Sequence, residues 1–129
     1  MQVYENFITV SDSDLDSLNH VNNVRYVQWV NDIAKEHWQK NATPNMLKDH
    51  FWVMINHCIE YKSSALLNDQ VKLKTFVIKS EGVTSTRVVE MYNEKNEKLI
   101  ARSETNWCFM NSQTKKPTRI TQEVIDLFK

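Results

Sequence analysis

The most chemically suggestive stretch of this 129-residue chain is Asp12-Ser-Asp-Leu-Asp-Ser-Leu-Asn-His-Val-Asn-Asn23. Carboxylates at alternate positions, Asp12, Asp14 and Asp16, first suggest a calcium loop. An EF-hand needs glycine at its sixth position and glutamate at its twelfth. Those positions hold Ser17 and Asn23, so the calcium reading fails. A merely solvated acidic loop does not explain why His20, two asparagines and a helix start follow at once. Together these residues supply the parts of an acyl-transfer site. A carboxylate beside a helix N-terminus can act as general base or nucleophile. The first-turn amides, which lack an intrahelical acceptor, can stabilise an oxyanion on a carbonyl. Burial raises a carboxylate's pKa and the positive helix end lowers it, so a base working near neutral pH is reachable.

The elements that must position this stretch can be read from periodicity. Residues 3–10 form a first strand, rich in β-branched and aromatic side chains, and residues 11–22 break regular structure. From Asn23 to about Gln39, Tyr26, Val27, Val30, Ile33, Ala34, His37 and Trp38 recur at helical spacing, so one helix face is buried. Asn22 or Asn23 caps its start, and the Asn41-Ala-Thr-Pro44 segment stops it. Strands follow at 51–61, 71–78, 83–92 and 99–110, and a short helix at 121–128 with Thr121 as N-cap. On the first of these strands, Phe51, Val53, Ile55, His57, Ile59 and Tyr61 alternate onto one face. No crossover helices separate the later strands, so residues 1–129 predict one α+β domain. Its long helix lies across one face of a curved antiparallel sheet of about five strands. Covering the outer strand edges calls for a homodimer or a tetramer.

Composition removes whole classes of function. The single glycine, Gly82, excludes the dinucleotide fingerprint, the P-loop and the G-x-S-x-G elbow. Sixteen Lys+Arg against sixteen Asp+Glu, with no basic stripe, argue against nucleic acid as a partner. No stretch approaches the roughly 20 apolar residues that span a bilayer. The opening MQVYENFITV lacks a leader's basic and apolar regions, so a cytoplasmic protein is expected. Cys58 and Cys108 stand alone in apolar contexts and read as buried free thiols. His57 and His37 read as core histidines and His50 as a loop residue, and no ligand spacing suggests zinc or any other metal. The four tryptophans read as core or interface bulk, with one or two positioned to line an acyl channel.

Asp14-Leu-Asp16 followed by His20-Val-Asn-Asn23, Tyr26 and Trp29 resembles the loop-to-helix signature of hotdog-fold thioesterases. The likeness is strongest to acyl-CoA thioesterases of the hydroxybenzoyl-CoA and YbgC-like group, with partial resemblance to plant-type acyl-ACP thioesterases. It continues through Tyr61, Ala65 and Asn68-Asp69 to Lys115-Lys-Pro117. The resemblance implies a hotdog fold and hydrolysis of an acyl-CoA or acyl-ACP thioester without a cofactor. By that resemblance Asp16 matches the catalytic aspartate of the bacterial enzymes, and His20 the histidine of the plant-type motif. The plant-type asparagine falls on Leu18, and its glutamate and cysteine fall on Ser64 and Ala65, so a single-aspartate mechanism is the better fit.

On this reading Asp16 activates water or attacks the thioester directly, while the amides of Asn23 and Val24 hold the oxyanion. His20 and Asn22 orient the loop or the substrate, Tyr26 belongs to the substrate-binding set, and Ser64 helps polarise the thioester. Lys115 and Lys116, with Arg119, meet the phosphates of coenzyme A or an acidic carrier protein, unless they form only a solvated turn. Where the related enzymes carry glycine before the histidine, this chain has Asn19, a residue that tolerates left-handed backbone. A non-catalytic hotdog module that binds acyl thioesters and a hotdog dehydratase are the alternatives.

Overall fold

Seven side chains at three- and four-residue spacing lie buried along one side of α1 (Asn23–Asn41): Tyr26, Trp29, Val30, Ile33, Ala34, His37 and Trp38. They belong to a computed structural model that describes residues 1–129. Trp29 takes the place in the stripe expected for Val27, which is half-buried. The Asn22 side chain caps the helix by accepting a hydrogen bond from the Val24 amide at 3.0 Å. The helix runs two residues beyond the expected end. Thr43 then caps a short helix that sequence reading missed, α2 (Pro44–Asp49), with Pro44 in its first turn.

Five strands form one antiparallel sheet. In chain order they are β1 (Tyr4–Thr9), β2 (His50–Tyr61), β3 (Gln70–Glu81), β4 (Thr84–Asn93) and β5 (Leu99–Asn111). In space the order is β1-β3-β4-β5-β2, so β1 and β2 are the free edges. Gly82 makes the β3–β4 turn at φ 63, the left-handed backbone that a side chain would strain. Thr121 caps α3 (Gln122–Leu127) as its sequence predicts.

Helix α1 lies on the inner face of the sheet. Val71 and Leu73 of β3, Val89 and Met91 of β4, and Ala101 of β5 meet Tyr26, Trp29, Val30 and Ile33 in the larger core cluster. Ile33, fully buried, contributes about 1.5–3 kcal/mol through its apolar surface. A smaller cluster closes the far end, where Trp38 meets Phe109, Ile120, Val124 and Phe128.

Two bulges change what strict alternation predicts. On β2, Met54 pairs with Trp107 and Asn56 with Asn106, so Ile55 is the extra residue. Trp52 and Met54 therefore share the inner face with His57, Ile59 and Tyr61, and Phe51 and Val53 lie on the other face. The expected single row of Phe51, Val53, Ile55, His57, Ile59 and Tyr61 does not form. His57 is exposed rather than core, and Cys58 is exposed and Cys108 half-buried rather than buried. His50 begins β2 rather than sitting in a loop, and it stacks on Phe109 at 4.2 Å. A matching bulge in β3 skips Ile78.

Candidate active site

The loop before α1 is a tight hairpin held by its own carboxylates. Leu15 and Val21 pair across it, the Asp16 amide donates to the His20 carbonyl at 2.8 Å, and Asn19 turns the chain at φ 62. Asparagine supplies the left-handed geometry that glycine would otherwise provide. The Asp16 Oδ1 accepts from the Leu18 amide at 2.8 Å and from the His20 amide at 3.2 Å. Its Oδ2 makes no hydrogen bond within the chain. Asp14 is buried and structural: it accepts from the Ser11 amide at 2.9 Å and pairs with Arg25 at 2.8 Å.

The hairpin docks on the segment after β2. The Val21 amide donates to the Ala65 carbonyl at 3.2 Å, and the Ala65 amide donates to the Tyr26 hydroxyl at 3.1 Å. Tyr26 is 3% exposed, and its ring lies 5.4 Å from that of Tyr61. Burial is the main cause that holds the Tyr26 phenol above its ordinary pKa, so it stays neutral. Its place is therefore in the wall rather than on a free surface for ligand. Ser64 is exposed beside this junction.

Asp16, His20, Asn22, Asn23 and Val24 thus meet where the hairpin enters α1. Two expected roles change there. The Val24 amide is not free for an oxyanion, because the Asn22 side chain occupies it, and for the same reason Asn22 is committed to capping. The Asn23 amide has no acceptor in the chain, which leaves it as the open first-turn donor. The His20 ring is exposed and makes no hydrogen bond.

Lys115 and Lys116 are not brought to this site within one chain. They follow β5 at the opposite end of the sheet, where the Lys116 carbonyl accepts from Asn111. Asn111 pairs with His50, so the twelve residues of β2 intervene, roughly 36 Å of extended strand. Lys115 sits over the Phe51 ring at 5.5 Å.

Sequence reading missed the polar centre of the fold. Arg87 is 6% exposed on the inner face of β4. Its Nη1 donates to Thr75 Oγ1 at 3.0 Å and lies 2.8 Å from His37 Nδ1, whose Nε2 lies 2.8 Å from Gln2 Oε1. Burial, and then the Arg87 charge, push His37 down to about 4. The available signal was parity: Arg87 shares the inward register of Ser85, Val89 and Met91. Arg87 also lines a cavity of about 700 Å³, together with Trp38, Trp52 and Trp107. Neither Asp16 nor any residue of its hairpin lines that cavity. No three His, Cys, Asp or Glu side chains are grouped to hold a metal ion, and no helix is long and apolar enough to cross a membrane.

A long helix laid over one face of a five-stranded antiparallel sheet defines a hotdog fold. Over residues 10–128 the sequence matches the thioesterase-like superfamily, and the chain belongs to that family. Its fold is similar to that of a 1,4-dihydroxy-2-naphthoyl-CoA thioesterase from Synechocystis. The TM-score is 0.84 at 13% identity, covering 98% of this chain and 95% of that one. YbaW, a probable thioesterase from Escherichia coli, superposes with a TM-score of 0.86 at 18% identity, covering 95% and 94%. The 12:0-ACP thioesterase from Umbellularia californica superposes with a TM-score of 0.84 at 14% identity, covering 98% of this chain and 51% of that one. No curated protein matches the sequence.

Proposed function

We propose that this chain hydrolyses an acyl thioester, of coenzyme A or of an acyl carrier protein, with Asp16 as base or nucleophile. The observation that carries the reading is the Asp16 carboxylate. One oxygen is fixed by two amides of its own hairpin and the other makes no hydrogen bond in the chain. The hairpin leads directly into α1, whose Asn23 amide has no acceptor in the chain. Asp16 removes a proton from water as the hydroxide adds to the thioester carbonyl. The Asn23 amide stabilises the oxyanion, and collapse expels the thiolate, which takes up the proton. Direct attack by Asp16 instead forms an anhydride that water then opens. In a single turnover in labelled water, label in Asp16 identifies the anhydride route, in which water has opened the anhydride at the Asp16 carbonyl. The names of the Synechocystis and Umbellularia proteins support coenzyme A and carrier-protein thioesters as the two substrate classes.

The catalytic unit we propose is a homodimer paired through β2. This twelve-residue edge strand exposes Val53 and Ile55, which suits it to antiparallel pairing with a second copy. Such pairing sets the start of one β2 beside the end of the other. Lys115 and Lys116 of one copy then approach the Asp16 hairpin of its partner, where they can meet the phosphates of coenzyme A.

The test is thiol release from a panel of acyl-CoAs of different chain length and one acyl-ACP. Asp16→Asn keeps the Oδ1 acceptor for Leu18 and His20 but removes the charge, so it separates chemistry from turn geometry. It is expected to fold normally and to lose at least about 100-fold in turnover. Near-native turnover by Asp16→Asn overturns the assignment. Binding without hydrolysis in the wild type indicates a binding module, and water elimination indicates a dehydratase.

A further inference from the structure

Buried charges in proteins are paired, and Arg87 is not. It forms no ion pair with any carboxylate of the chain: its guanidinium lies over the Phe128 ring at 5.3 Å, and its two hydrogen-bond partners, Thr75 and His37, are neutral. Both bonds use Nη1, so Nε and Nη2 have no acceptor in the chain. Burial lowers Arg87 only to about 10, so the guanidinium stays charged at neutral pH. The neighbour best able to repel it, His37, is held uncharged.

The unpaired group borders the 700 Å³ cavity between the flank of α1 and the inner face of β4, β5 and β2. Beside it, Ser85 adds a hydroxyl to the lining. The walls are Trp38, Trp52, Trp107 and Phe128, which give an aromatic lining of the size that takes small organic ligands. The exposed side chains of Gln28, Asp32, Lys35 and Gln39 also line it. A cationic fork with free donors set in an aromatic chamber selects one kind of ligand. The ligand must bring an anionic group matching the geometry of Arg87, carried on an apolar body.

We infer that this cavity is a binding site for a free carboxylic acid of medium length. Its carboxylate accepts from the Nε and Nη2 of Arg87, and its hydrocarbon lies against the three tryptophans. Within one chain neither Asp16 nor any residue of its hairpin lines the cavity, and the inference stands whether or not Asp16 hydrolyses thioesters.

Three of the four tryptophans line the cavity, so their fluorescence reports its occupancy. The experiment titrates wild-type protein at pH 7.5 with octanoate and, separately, with 1-octanol. The alcohol is the less hydrated of the two, so a purely apolar cavity prefers it. The expected result is saturable quenching, with octanoate bound at least about tenfold tighter than octanol. Arg87→Gln is expected to remove that preference while leaving octanol binding unchanged. Asp16→Asn is expected to bind octanoate like wild type. Equal or tighter binding of octanol by the wild type overturns the inference, and this comparison needs no variant to fold. Retained octanoate affinity in a folded Arg87→Gln protein overturns it too, as does loss of octanoate binding in Asp16→Asn.

Discussion

At the scale of single residues, chemically similar side chains do different work because their neighbours differ. Asp14 and Asp16 are two residues apart, yet Asp14 is buried against Arg25 while Asp16 keeps an oxygen free. The histidines diverge more. His20 is exposed, whereas His37 is 1% exposed between Tyr4, Phe128 and Arg87. The depressed pKa of His37 has a consequence for stability. The unfolded chain takes up a proton near pH 6.5, but the folded chain resists until about pH 4. Stability is therefore complete above about pH 6.5 and falls as pH drops toward 4. The loss from this group reaches about 3 kcal/mol. Urea melts at pH 7.5 and 4.5 measure it, and His37→Gln, which cannot take up the proton, is expected to flatten the difference.

At the scale of elements, what matters is how each begins, ends and changes register. Helix α1 starts where Asn22 captures the Val24 amide, and that capture removes one of the two expected oxyanion donors. Asn22→Ala is expected to lower stability by about 1 kcal/mol, the usual effect of losing such a cap. A urea melt would show it as a lower midpoint at unchanged slope. The bulge at Ile55 matters as much for the sheet. It brings Trp52 and Met54 onto the inner face with His57, and so helps build the aromatic wall of the cavity. Phe51 to Ile55 is an unbroken apolar run, so no alternation marks the extra residue. One extra residue therefore reverses the facing of half a strand while its sequence pattern looks continuous.

At the scale of the whole molecule, a β1-β3-β4-β5-β2 sheet leaves its longest unpaired edge on β2. Val53 is 43% exposed and Ile55 51% exposed on that strand. Two chains of 15.3 kDa paired there give a particle of about 31 kDa. Sedimentation at micromolar concentration is expected to report that mass. Val53→Asp places like charges near the two-fold axis and is expected to weaken the dimer at least about tenfold. If Lys115 and Lys116 serve the partner's hairpin, thiol release falls in step with dimer content. Full activity in a monomeric Val53→Asp protein would rule out a shared site.

What this sequence determined by itself is local. The helical spacing from Tyr26 to Trp38 placed α1 on the sheet, because a buried stripe repeats every three or four residues. Asn22, Thr121 and Gly82 marked a cap, a second cap and a turn, since each role depends on the side chain or backbone freedom of one residue. The left-handed turn at Asn19 was legible for the same reason, whereas the pairing of Leu15 with Val21 that makes the loop a hairpin was not. Contacts between distant residues were decided only by the tertiary structure. The pairing of Arg87 with His37 spans fifty positions. The distance between Asp16 and Lys115 depends on the path of β2. The cavity walls come from two helices and several strands. Periodicity says which side of an element is buried, but not which residues meet there, because that is settled by sheet order, register and bulges.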